Sequence, residues 1–337
     1  MTKIIFIITL LIGSILYIMN ASWLADKGNG GFYLLAHRGV YQNYDRTNLA
    51  KDECTVNRIS KPTHHYIENT ILAISKAFEY KADTVEIDIH PTKDGEFVVF
   101  HDWTLNCRTN GSGVTREQTL KYLKTLDVGY NYTYDGGKNY PFRGVGVGLM
   151  PTLKQVIEAF PNKKFLINIK SNDPQEAELL AQYLKLDDKK RANNLSIYGG
   201  EKAVDKLARD YPWLKTFTKK RVKRCLKEYI LVGWAGIITE QCKNTTLLVP
   251  INYANYLWGW PNRFKERMDS VGTDYYLVGP YNPDTPTNGI PGFNTIEYIK
   301  ELPEGYTGGI WTDKIELISP QIKQVEFGLI ALNSQTN

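Results

Sequence analysis

The chain of 337 residues has no low-complexity tract and no internal repeat at a period of about 20 to 50 residues, which excludes a disordered polymer and a solenoid. It also has little net charge: 41 Lys and Arg against 36 Asp and Glu leave +5, spread along the sequence. The one dense basic stretch, Lys219-Lys220-Arg221 with Lys223-Arg224, is short and reads as a solvated helix face, so no nucleic-acid partner is expected. Cysteine is scarce as well, and four residues allow two disulfides in three connectivities.

A single long apolar run stands at the N-terminus, from Ile4 to Met19 behind Lys3, and has the layout of an export segment. No small-x-small pair follows it cleanly, since Trp23 precedes Ala25 and Met19 precedes Ala21 at two residues. A cleaved signal peptide and a retained membrane anchor over residues 1–26 are both open. Either places the rest of the chain, residues 31–330, in an oxidising compartment, secreted or held at the membrane. Cys225 and Cys242 are close enough in sequence to close a small loop, leaving Cys54 to pair with Cys107.

The stretch VEIDIHPTKDGEFVVFHDW (85–103) sets Glu86 and Asp88 on one face of a strand and Val85, Ile87 and Ile89 on the other. Asp94-Gly95 signals a two-residue hairpin loop, and that register places Asp88 opposite His101. Further β-like runs fall at 33–37, 164–170, 194–198, 214–218, 246–251, 274–278 and 308–312, separated by helical patterns. Ile67, Ile71, Ile74 and Phe78 recur at helical spacing, and Thr152 with Gln155 forms a capping-box pattern before Leu153, Val156, Ile157 and Phe160. Alternating strands and helices of this number predict one closed (β/α)8 TIM barrel, with a small hairpin inserted after its second strand. Barrel chemistry sits at the carboxyl ends of strands. There the sequence offers His37-Arg38, Glu86, Asp88 and His101, and a face shared by Leu166, Asn168 and Lys170.

In their order, AHRG (36–39), ENT (68–70), ADTVEIDIHPTKDGEFVVFHDWTL (82–105), RTNGSG (108–113), PTL (151–153) and INIK (167–170) resemble the glycerophosphodiester phosphodiesterase family, with GGIWTD (308–313) a weaker match. The likeness is strong over about residues 33 to 170. It implies a (β/α)8 barrel that hydrolyses glycerophosphodiesters with a divalent cation, Mg²⁺ or Ca²⁺, and with His37 and His101 as acid and base. Glu86, Asp88 and Asn168 would hold the metal. Arg38, Lys170, Glu68, Asn69 and Trp311 would meet the phosphate or the rest of a soluble or lipid-headgroup phosphodiester. Asn69 has an equal alternative as a helix-start residue. At Asn168 the sequence departs from the glutamate more usual in the family, and one neutral oxygen in its place should weaken metal binding. A sphingomyelinase-D-like lipase and a barrel that binds phosphodiesters without turnover are the alternatives, and a glycosidase fits less well. His64 and His65 read as loop residues. Tyr253, Tyr256, Trp258 and Trp260 either rim the pocket or pack beneath a loop.

Overall fold

A computed structural model describes residues 2–26, 31–49, 53–284 and 290–326. Eight parallel strands form the barrel: β1 (Tyr33–His37), β2 (Thr84–Pro91), β4 (Lys164–Ile169), β5 (Leu195–Gly199), β6 (Lys215–Phe217), β7 (Thr246–Pro250), β8 (Asp274–Val278) and β9 (Gly309–Thr312). The short β3 (Phe97–Val99) returns antiparallel along β2. Hydrogen-bonded neighbours run in the order β6-β5-β4-β2-β1-β9-β8-β7, and each expected run coincides with a strand to within about two residues. The barrel is nearly closed. At the remaining seam the Thr245 hydroxyl donates to the Thr216 carbonyl at 2.7 Å. The Cys225–Cys242 disulfide ties the helix after β6 to the turn before β7, and thus straps the same seam.

Strand β2 is buried along its whole length, as a parallel strand between two neighbours must be. Its aliphatic residues Val85, Ile87 and Ile89 join the main core. The opposite set, Glu86, Asp88 and His90, is therefore turned to the barrel interior. Register then fixes who meets whom. His37 lies beside Glu86, Asp88 beside Asn168, and Asn168 beside Tyr198.

The hairpin differs from the expectation by one residue. Ile89 pairs with Val99 and Pro91 with Phe97, so Phe100, not His101, stands opposite Asp88 and donates its N–H to the Asp88 carbonyl at 2.9 Å. The cause is a three-residue loop. Gly95 adopts φ 86°, its N–H bonds to the Thr92 carbonyl, and Thr92 pairs with Glu96. A one-residue slip would have reversed the face of His101 had it been in the strand, but β3 ends at Val99 and His101 turns inward from the loop that follows.

Val98 of β3 and Phe100, Leu105, Leu126, Val128, Tyr132 and Phe142 of the chain between β3 and β4 build a second core with Val56, Ile59 and Ile67 of the segment after β1. The Cys54–Cys107 disulfide joins the two segments, as expected. Ile67 belongs to this core and precedes the helix Ile71–Glu79, whose N-cap is Thr70. The helix Leu153–Ala159 begins with the full Thr152–Gln155 capping box. At the other end of the sequence, the expected barrel limit at residue 330 lies outside the described residues.

Candidate active site

At the carboxyl end of β1 the chain turns sharply. Arg38 takes a left-handed conformation with φ 57°, and Gly39 follows at φ 80°, where an added Cβ would lie 2.8 Å from the backbone carbonyl carbon of Ala73. This turn sends the Arg38 guanidinium inward. Its Nη1 donates to Glu68 Oε1 at 2.9 Å, and its Nε lies 3.2 Å from Asp88 Oδ2. Asn69 is left-handed too, at φ 58°. It brackets Asp88 by donating Nδ2–H to Oδ2 at 3.1 Å and accepting the Asp88 N–H at 3.2 Å. Since Thr70 supplies the helix cap, the helix-start alternative for Asn69 is overturned.

Asp88 is held by four side chains, and Arg38 and Asn69 are only two of them. Asn168 Nδ2 donates to Oδ1 at 2.9 Å, and Lys170 Nζ stands 3.4 Å from the same oxygen. Burial would raise its pKa, but Lys170, His101, Arg38 and His37 together hold it well below the usual carboxylate range. Glu86, two residues back on the same strand, behaves oppositely. Burial and the charge of Asp88 push it up to about 7, against the opposing pull of His37 and Arg38. Its Oε1 accepts from the Tyr198 hydroxyl at 2.7 Å.

Both imidazoles are held by aspartates. His37 Nδ1 is 2.7 Å from Asp313 Oδ1, and His101 Nδ1 is 2.6 Å from Asp102 Oδ1. Burial alone would raise both aspartate pKa values. For Asp313 the hydrogen bond and charge of His37 outweigh it, for Asp102 the charge of Arg108 does so first, and both end below the usual range. A carboxylate only accepts, so each imidazole carries its proton on Nδ1 and turns Nε2 toward the interior. His37 Nε2 stands 3.8 Å from Glu86 Oε2. His101 is lowered to about 4 by burial and by the charges of Arg38 and Lys170.

The aspartates are themselves fixed. Asp313 Oδ2 accepts from the Gly292 N–H and from Asn294 Nδ2, each at 2.9 Å. Asp102 Oδ2 accepts from Arg108 Nε at 2.8 Å, and Arg108 Nη1 reaches Glu68 Oε2 at 2.8 Å. Glu68 thus spends both oxygens on arginines and positions Arg38. Trp311 is nearly buried in the β9 wall, with its ring 5.5 Å from that of His37. Sequence reading gave no role to Asp313, Asp102, Arg108 or Tyr198. Asp102 adjoins His101 and was visible; Asp313 needed the barrel to close.

Other candidates lie elsewhere. His64 sits in its loop with Gln42 Nε2 3.0 Å from Nδ1 and its ring against Tyr66. Trp260 packs on Phe264, Tyr275 and Tyr306, whereas Tyr253, Tyr256 and Trp258 are exposed.

A divalent cation can be judged against these donors. Glu86 and Asp88 supply buried carboxylate oxygens from one strand, and burial together with the charge of Asp88 raises Glu86. Hard oxygens of this kind suit Mg²⁺ or Ca²⁺. Among the described residues no group of three or more His, Cys, Asp or Glu is set to hold a metal, in keeping with an amide at position 168. Asn168 presents its nitrogen to Asp88 here; with the amide reversed it offers the oxygen, and the donor set then fits the ion.

Known proteins share the sequence family and the fold. A glycerophosphodiester phosphodiesterase of Caldanaerobacter subterraneus subsp. tengcongensis is 43% identical over 102 residues, covering 30% of this chain and 38% of that protein. The chain spans about two fifths of the length of the curated relatives it matches. The glycerophosphoryl diester phosphodiesterase domain of protein Rv2277c from Mycobacterium tuberculosis has the same fold, with a TM-score of 0.59 at 16% identity over 86% of this chain and 98% of that one. So has an Oleispira antarctica phosphodiesterase solved with its product sn-glycerol-3-phosphate, with a TM-score of 0.51 at 16% identity over 86% and 96% of the two chains. The sequence profile of the glycerophosphoryl diester phosphodiesterase family matches residues 37–230, more than half of the chain, and the chain belongs to that family.

Proposed function

We propose that the protein is an exported, metal-assisted phosphodiesterase that hydrolyses glycerophosphodiesters to an alcohol and glycerol 3-phosphate. The carrying observation is the pair of imidazoles, each locked at Nδ1 by a buried or nearly buried aspartate, that flank the Glu86–Asp88 pair with Arg38 and Lys170 alongside. A binding barrel has no need of two oriented proton-transfer groups. The Oleispira relative's bound product is the molecule this reaction would release.

His101 remains neutral well below neutral pH, so its Nε2 takes the proton of the attacking water. His37, with the carboxylates of Asp313 and Glu86 on its two sides, acts in its doubly protonated form: Nδ1–H stays on Asp313 and the Nε2 proton goes to the leaving alkoxide. Arg38 and Lys170 hold the anionic phosphodiester against these groups. When bound by Glu86 and Asp88 with the Asn168 oxygen, the cation offsets charge that builds on the phosphoryl oxygens. Residues 1–26 are the export or anchor segment and the chain from residue 31 onward is the barrel. Two disulfides suit the oxidising side of a membrane.

The test is hydrolysis of glycerophosphocholine and glycerophosphoethanolamine by the full chain in detergent, with Mg²⁺, Ca²⁺ or EDTA. The expected products are the free alcohol and glycerol 3-phosphate, lost with EDTA and with His37→Ala. Binding of both diesters without turnover under any of these conditions would replace this reading with the non-catalytic barrel.

A further inference from the structure

The junction between the apolar helix Thr2–Asn20 and the barrel is built from both sides. Arg267, buried on the helix Asn262–Ser270, directs its guanidinium at the helix end. Nη2 donates to the Met19 carbonyl at 2.9 Å, and Nη1 bonds to Asn20 Oδ1 at 3.1 Å, the Gly233 carbonyl at 2.9 Å and the Tyr229 hydroxyl at 3.0 Å. The Asn20 amide donates in turn to the Trp234 carbonyl at 2.8 Å. One residue group further on, Ser22 is buried, and its hydroxyl accepts the N–H of Asn262 at 3.0 Å. The helix Asn262–Ser270 has Pro261 at its N-cap and no cap of its own, so Ser22 supplies one from 240 positions away. Ala21 and Ala25, the small residues that follow the apolar run, are both buried in this junction.

The helix itself behaves in the opposite way. Among its described residues none is buried, its most apolar 18 residues have a mean hydropathy of 2.2, and its 19 residues span about 28 Å, close to the thickness of a bilayer's hydrocarbon core. Around its exit the barrel shows Trp23, Leu231, Trp234, Ile237 and Trp258, all exposed. The indole N–H groups of Trp234 and Trp258 are already given to the Leu231 and Ile230 carbonyls at 3.0 and 2.8 Å, so their exposed rings have no donor left to offer water. An apolar, aromatic surface continuous with a spanning helix matches the headgroup–hydrocarbon boundary of a bilayer.

We propose that the helix Thr2–Asn20 is retained in the mature protein as an anchor plugged into the barrel by Arg267 and Ser22, and that the face carrying Trp234 and Trp258 rests on the lipid surface. Cutting at residues 20–26 would strip Arg267 of its Met19 and Asn20 partners and could sever Ser22 from the chain, leaving buried donors unpaired. The proposal is independent of the activity.

The experiment takes the full chain from membranes of expressing cells, measures its intact mass, and washes the membranes with alkaline carbonate. The purified chain is then placed in phosphatidylcholine vesicles with brominated acyl chains, beside the variant Trp234→Phe/Trp258→Phe, which leaves the active site untouched. The expected results are a mass that includes the helix, resistance to the wash, and quenching of tryptophan emission that falls in the variant. A chain beginning within residues 20–27 and released by carbonate would overturn the anchor. Equal quenching in the two proteins would overturn the seating of the Trp234–Trp258 face.

Discussion

The two histidine–aspartate pairs have nearly the same geometry, 2.7 Å for His37–Asp313 and 2.6 Å for His101–Asp102, yet they are assembled in different ways. His101 and Asp102 are neighbours in sequence. Their support is the insertion core, through Arg108, Tyr132 and the Cys54–Cys107 disulfide. His37 and Asp313 are 276 residues apart, and meet only because β1 and β9 lie side by side. Asp313 is braced by the Gly292 N–H and Asn294. One pair therefore depends on a local fold and the other on closure of the barrel between its first and last strands.

Replacing the imidazoles should have the largest effect and treat the pairs alike. His37→Ala and His101→Ala should each lower kcat by about 10²- to 10⁴-fold, as expected for loss of a proton-transfer group, with circular dichroism unchanged. A loss confined to one variant would break the equivalence. The aspartates come next. Asp313→Asn and Asp102→Asn should each cost about 10- to 100-fold in kcat with a smaller change in KM, because the ring loses its orienting acceptor and not its substrate contacts. Thermal unfolding should separate them: Asp102→Asn removes a charge partner of the buried Arg108 and should destabilise more than Asp313→Asn, whose partners are neutral donors apart from His37 and the more distant Arg46.

Metal affinity gives a smaller effect, outside both pairs. Asn168→Glu adds a third carboxylate beside Asp88 and should tighten Mg²⁺ or Ca²⁺ binding by about tenfold in titration calorimetry. Weaker binding would mean that Asn168 serves Asp88 and not the ion. The smallest signal is a titration. His101 lies near 4 in the fold against an ordinary value of about 6.5, so the folded state binds its proton less readily than the unfolded chain. Its contribution to stability is present above 6.5 and is lost as pH falls toward 4. An NMR titration of the His101 ring with a midpoint near 6.5 would contradict this.

What could be read in the sequence follows the same division. The strands were legible because each is a short apolar run between turn signals, and the polar face of β2 because alternation is local. The register of the hairpin was not, since Asp94-Gly95 serves a two- or a three-residue loop, and only the backbone bond from Gly95 to Thr92 decides between them. Ile67 has the spacing of the helix after it, yet Thr70 caps that helix and leaves Ile67 to the second core. Glu68 reads as a substrate contact until Arg108 arrives from the insertion to take its second oxygen. Asp313 had the weakest local signal of all, because its partner is fixed by barrel closure and by nothing near it in the chain.

The claim that two imidazoles share one design is tested most directly by the ¹⁵N NMR spectrum of the histidine side chains in the metal-free protein at neutral pH. The structure predicts a protonated Nδ1 in both His37 and His101. A bare Nδ1 with the proton on Nε2 in either ring would contradict it.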